Sequence, residues 1–217
     1  MQYRDAFEFW AHAAAQHGFG IVLAENSGAD PETYADKFAL LPPERFSLVS
    51  SQPIADDGRG KGALEAALIH NTMTAMDVDP SAAIYKVTGR LTIANPGDVF
   101  RPLPPNTAVS RGLLDNTRVD MRCFGASASV WRTVLAGMEA DVDERLDIHL
   151  GHVVAARLMS AHTSGVLARM RFAARPQIRG SSGTTGRAYG HAINRLSEKF
   201  GRALESQLAR LARKKSV

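Results

Sequence analysis

The residues able to bind an anion or move a proton fall in six short stretches. The first is "IADDGRGKGALEAALIH", residues 54 to 70. Its glycines alternate with Arg59 and Lys61 just before an apolar, helix-like run. Backbone N–H groups at a helix start attract anions, and two cations in the same turn strengthen the attraction. The stretch lacks the GxxxxGK[ST] order, because Gly62 follows Lys61, and it is not GxGxxG. It reads as a phosphate cradle or as a basic loop in solvent.

The second stretch is "AENSG", with Glu25, Asn26 and Ser27. A carboxylate beside an amide can bind ribose hydroxyls or a base edge, and the same residues can simply make a turn. The third, "KVTGR", sets Lys86 and Arg90 about a Thr-Gly break, suited to a diphosphate or to an exposed edge strand. "LDNTRVDMRCFGAS" supplies Asp115, Arg118, Asp120 and Arg122. Asp120 and Arg122 share a strand face, where they pair with each other or orient substrate hydroxyls. "DERLDIHLGH" brings Asp147, His149 and His152 close in sequence, as a general base, as part of a metal site lacking a clear third ligand, or as surface residues of a helix. The last, "RPQIRGSSGTTGRAYGH", has four hydroxyls between Arg179 and Arg187 and reads as a second anion nest. No G-x-S-x-G elbow occurs, and the lone Cys123 has no evident catalytic partner.

Periodicity predicts the elements that must position these groups. A helix is expected over residues 3–17, then a strand from Ile21 to Ala24. Asp30 and Pro31 open a further helix, and a strand covers 46–51. A helix follows over 63–76, with Leu64, Leu68, Ile69, Met73 and Met76 forming its apolar face. Strands are expected at 82–93, broken at Thr88-Gly89-Arg90, at 106–112 and at 119–127. Helices are expected over 128–138 and 146–161, and a strand within 165–178. A tight polar loop spans 180–186, and a last amphipathic helix runs from about 187 to 213.

Helix and strand alternate through the first half, which predicts an α/β fold with a mainly parallel sheet flanked by helices. Ligands in such sheets bind beyond the carboxyl ends of the strands, where the "ENSG" turn and the glycine loop fall. The chain opens on a helix, so the first strand usual in such sheets is expected to be missing.

The chain has 217 residues, 45% apolar and 22% charged, enough for one domain with a large core and at most one and a half. Residues 1–186 are expected to form the α/β domain, and 187–217 a basic helix and tail. One cysteine excludes an intrachain disulfide and fits a reducing compartment. No run of 18 apolar residues exists, and the first ten residues do not read as a signal peptide, so a cytoplasmic protein is expected. From Arg157 to Lys215 the bases are opposed only by Glu198 and Glu205. A basic final third implies an anionic partner or a solvated face. Few aromatics interleave with these bases, which weakens the case for nucleic acid, and a non-catalytic nucleotide-sugar or nucleic-acid binding protein using this third is the alternative.

Taken in order, several motifs resemble those of bacterial GT-A-like glycosyltransferases of surface polysaccharide assembly. They are the Arg4, Phe7, Phe9, Trp10 helix, "ENSG", "GKG-x-x-E", "Y-K-V-T-G-R", "V-D-x-R" and the late "R-P-x-I-x-G" segment, from about residue 4 to 190. The resemblance implies transfer of a sugar from a nucleotide-sugar donor to a saccharide or lipid-linked acceptor. Glu25, Asn26 and Ser27 would lie at the nucleoside, and Lys61, Lys86 and Arg90 at the diphosphate. Arg122 would meet the acceptor, and Asp120 and Asp147 are the catalytic candidates, with Asp147 favoured as base. Such enzymes often hold a divalent metal on Asp-x-Asp. Here Lys86 and Arg90 stand in that region, so cations would neutralise the leaving group and no metal ligand is assigned. The resemblance also implies a strand ahead of the Arg4 helix, so the start is expected to be truncated. The basic C-terminal helix would touch an anionic membrane surface carrying the acceptor, or pack on the domain or a partner helix.

Overall fold

A computed structural model of the protein describes residues 2–28, 34, 36–50, 54, 56–111, 117–181, 186, 188 and 189. Helix α1 (Gln2–His17) buries Phe7, Ala11 and Ala14, spaced to share one helical face. The chain turns at Gly18, where the backbone takes a positive φ, and enters strand β1 (Ile21–Glu25). Strand β2 (Phe46–Ser50) pairs with β1 in parallel, Ile21 opposite Phe46. Phe38 and Leu41, from the connection between them, close an aromatic cluster with α1. Most of the helix expected from Asp30 lies outside the described residues; Asp36–Phe38 is a single 3-10 turn.

Helix α2 (Lys61–Ala75) follows and places Ala63, Ala66 and Met73 in the main core. Strand β3 (Ala83–Val87) comes next, then the Thr88-Gly89-Arg90 turn and the short β4 (Thr92–Ile93). The break in "KVTGR" is thus a change of sheet: β3 joins one sheet and β4 another. After the one-turn helix α3 (Pro96–Val99), strands β5 (Thr107–Ser110) and β6 (Cys123–Ser127) fill the centre. Every residue of β6 is buried, so it reads as a continuous small and apolar run and not as an alternation. Helix α4 (Ala128–Thr133) and helix α5 (Leu150–Thr163) cover that sheet, and β7 (Ala168–Arg171) completes it. Strands β8 (Ile178–Ser181) and β9 (Ala188–Tyr189) form the second small sheet with β4.

The fold is mixed α/β, and the expectation of a mainly parallel sheet is corrected. The central order is β3-β6-β5-β7, in which only β5 and β7 run parallel. In the small sheet β8 is antiparallel to both β4 and β9. A parallel neighbour needs a long crossover connection, commonly a helix. The helix–strand alternation supplies one between β1 and β3 but not after β3, where the chain turns back on itself. β8 reaches Ser181, into the stretch expected to be a polar loop, residues 182–185 and 187 lie outside the described residues, and Ala188–Tyr189 is strand where a helix was expected to begin at 187. The remainder of that helix lies outside the described residues. No helix among the described residues is long and apolar enough to cross a membrane.

Two helical layers cover opposite faces of the strands. Ile21 and Leu23 of β1 pack on the α1 side, as do Tyr85 and Val87 of β3 through Phe100 and Trp10. Ile84 and Lys86 point the other way, Ile84 onto the main core and Lys86 to Glu65 of α2. Gly125 of β6 lies under the Tyr85 ring; a Cβ there would come within 2.4 Å of it.

Candidate functional site

The glycine loop is tied down by its own charges. Arg59 pairs with Asp57 at 2.6 Å and donates to the Glu139 carbonyl at 2.7 Å. It is therefore a structural clamp and not a spare phosphate ligand. The start of α2 also holds an anion from within the protein. The Glu144 carboxylate accepts from the Gly62 N–H at 3.0 Å, and the Glu144 N–H donates to the Arg59 carbonyl at 2.9 Å. The glycines make this possible. A Cβ on Gly60 would lie 2.3 Å from one Glu144 oxygen, and one on Gly62 would lie 2.7 Å from the other. Lys61 is exposed beside this contact.

Next to Glu144 lies an acid–imidazole group. His149 Nε2 is 2.9 Å from Asp147 Oδ1, and its Nδ1 is 3.5 Å from Glu144 Oε1. Asp147 takes a left-handed backbone and presents a side chain that is 92% exposed. His149 stands at the N-cap position of α5 without a side-chain cap bond, and the His152 ring lies 5.5 Å away. Among the described residues no group of three or more His, Cys, Asp and Glu side chains is arranged to hold a metal ion.

A second charged group lies at the end of β3. Lys86 Nζ donates to Glu65, to the Met121 carbonyl and, at 3.1 Å, to Thr88 Oγ1. One residue before Met121, Asp120 receives two bonds from Arg122, at 2.8 and 2.6 Å, with Arg111 at 3.8 Å. Burial would raise the Asp120 carboxyl, but the Arg122 bonds and charge outweigh it and hold it below its usual range. That makes Asp120 a poor proton acceptor and a good holder of Arg122. The Arg122 guanidinium stacks 4.7 Å over the Tyr189 ring.

The two groups are neighbours through the backbone. Val119 N–H donates to the Gly151 carbonyl at 3.0 Å, so the first turn of α5 abuts the Val119–Arg122 segment. Glu65 stands one helical turn beyond Lys61, which links both groups to the start of α2. A cavity of about 570 Å³ between β1 and β3 has Glu65, Lys86 and Thr88 among its lining residues, with Glu44, Arg45 and Asp77.

Of the residues expected from sequence, Lys86, Asp120 and Arg122 meet in one cluster, and Asp147 and Lys61 lie on its α2–α5 side. Glu25, Asn26 and Ser27 end β1 instead. There Glu25 accepts from the Tyr34 hydroxyl at 2.9 Å and from the Ser27 N–H. Burial would raise the Glu25 carboxyl, but these bonds together hold it low. Arg90 sits at the sheet change and donates to the Ser181 carbonyl at 3.1 Å, which links the two sheets. Asp115 lies outside the described residues. Sequence reasoning missed the roles of Glu65, Arg111, Glu144 and Tyr189. Glu65 was legible one turn after Lys61, but Glu144 is 82 residues from Gly62 and no spacing announces it.

Comparison of the chain with models of known families, with curated proteins and with solved structures returned no match.

Proposed function

We propose that this protein is a glycosyltransferase, moving a sugar from a nucleotide-sugar donor to a saccharide or lipid-linked acceptor. The observation that carries the reading is the convergence at the end of β3. Lys86, Arg111 and Arg122 gather there with Asp120 and Glu65, beside an imidazole already held by a carboxylate. Cations at the end of a strand suit a diphosphate leaving group. In the reaction an acceptor oxygen forms the new bond to the anomeric carbon as the bond to the diphosphate oxygen breaks. His149, oriented by Asp147, takes the acceptor proton, and Lys61 and Lys86 meet the charge that develops on the diphosphate. Asp120 keeps Arg122 in place. Glu25 and Asn26 lie at the carboxyl end of β1, where the nucleoside would sit.

The test is a thermal-shift series with UDP, GDP, CMP and dTDP, followed by assay of sugar release from the matching donors. A ligand present at 100 times its dissociation constant stabilises by about 2.7 kcal/mol. One nucleotide should stabilise the protein, and Lys86→Ala should abolish that stabilisation. His149→Ala should leave binding intact and remove turnover. Failure of every nucleotide, together with salt-sensitive RNA or DNA binding, would overturn the reading in favour of a nucleic-acid binder.

A further inference from the structure

Among the described residues, strands β1 and β3 turn two open edges toward each other. Strand β1 is hydrogen-bonded to β2 alone and β3 to β6 alone, and among the described residues no backbone hydrogen bond joins β1 to β3. The β3 edge can be read atom by atom. Thr88 N–H donates to the Arg122 carbonyl, and Ala128 N–H donates to the Ala82 carbonyl. The even-numbered residues therefore face β6. By the alternation of an antiparallel pair, Ala83, Tyr85 and Val87 turn their N–H and C=O groups toward β1. Between the edges lie a cavity of about 240 Å³ on the α1 side and the 570 Å³ cavity on the α2 side, where Leu68, Ile69, Met73 and Met76 of the α2 segment supply apolar wall. Residues of both strands line both cavities.

The direction of the chain is also set. Tyr3, at the start of α1, lies over Gly89, just past the end of β3. Phe7 packs edge-on against Tyr34, whose hydroxyl bonds to Glu25 at the end of β1. Both strands thus finish under the start of α1, and β1 and β3 run parallel. Main-chain donors and acceptors on two sides, with apolar walls above and below, match one chemical object: an extended polypeptide with apolar side chains.

We propose that the slot between β1 and β3 takes one further β-strand, an extended apolar segment that runs parallel to both and leads directly into α1. Strand, α1 and β1 then form a single βαβ unit. The two sheet fragments become one, in the order β2-β1-strand-β3-β6-β5-β7. The larger cavity is lined by Glu44, Arg45, Glu65, Asp77 and Lys86 as well as by apolar side chains. The inference stands independently of the proposed function.

Residue-resolved amide hydrogen exchange tests it on three forms of the protein. One is the 217-residue chain. The second carries a Val- and Ile-rich strand and a short turn ahead of Met1, and the third carries a Gly-Ser segment of equal length. Two unrelated strand sequences are used, so that one poorly pairing sequence does not decide the result. In the 217-residue chain, Ala83, Tyr85 and Val87 should exchange on the order of tenfold or more faster than Ile84 and Lys86. Either added strand should slow those three amides and raise the Tm, and the Gly-Ser segment should do neither. Slow exchange at all five residues of β3 in the 217-residue chain would show an edge already paired and overturn the proposal. So would both strands leaving the three amides unprotected. Equal protection by the same peptide added as a separate molecule would overturn the connection to α1.

Discussion

Glu144 decides what the glycine loop can do. Its carboxylate occupies the N–H group that a phosphate would need, so an incoming anion must displace it. Glu144→Ala should therefore increase the affinity for inorganic phosphate or a nucleotide at the start of α2, measured by calorimetry. Unchanged or weaker anion binding would show that this helix start is purely structural. Asp120 makes a different kind of contact, with two Arg122 bonds on a mostly buried carboxylate. Asp120→Asn should cost about 1–3 kcal/mol of stability at neutral pH, read by urea denaturation. The sign with pH follows from the depressed carboxyl. In the unfolded chain it titrates near about 3.9, and in the folded protein lower. The native contribution is therefore complete above that range and is lost as pH falls toward the folded value. The deficit of the Asn variant should shrink below about pH 4; a deficit constant down to pH 2 would refute the assignment.

At the scale of elements, the fold depends on close passages that small residues permit. Gly125 lets the Tyr85 ring cross β6, with Val109 also within 2.9 Å of a Cβ placed there. Gly125→Val should overpack this crossing and cost roughly 1–3 kcal/mol, lowering the Tm. Gly60 combines a positive φ of 99° with the approach of Glu144. Gly60→Ala should detach Glu144 from α2 and loosen the loop, seen as faster proteolysis between Asp56 and Lys61. An intact loop in that variant would mean that the clamp of Arg59 on Glu139 suffices alone. α1, α2, β1, β2 and β3 were legible from helical periodicity or short apolar runs bounded by turns, but the apolar face expected on α2 was not the most covered one: Gly62, Ala63, Ala66, Thr72 and Met73 are buried, and Leu64, Leu68 and Ile69 only in part. The pairing directions were not legible. Strand β6 is buried on both faces, so its sequence carries no sign of which neighbour it meets or in which direction.

For the whole molecule, Cys123 offers a probe of global opening. It lies buried among Ile93 and Val99, with its thiol pushed up to about 12 by that burial. Labelling by a thiol reagent at pH 8 should therefore proceed only through unfolding, at a rate that rises with denaturant. Rapid labelling of the native protein would place Cys123 at the surface. The sequence by itself determined the α/β character, the approximate places of most elements and the chemistry on offer: basic turns, an acid beside two histidines, and Asp120 two residues from Arg122 with their pairing as one of two readings. These are local properties, set by residue type and by the periods of helix and strand. Only the tertiary structure decided which charges meet. It joined Glu144 to Gly62, Lys86 to Glu65 and Arg122 to Tyr189, contacts that span between 21 and 82 residues of chain. It also turned "KVTGR" from a strand with a flaw into a crossing between two sheets, and among the described residues it left β1 and β3 facing one another unpaired. The reason is physical: contacts between distant segments are chosen by how the buried faces of all elements fit at once, and no short window of sequence records that choice.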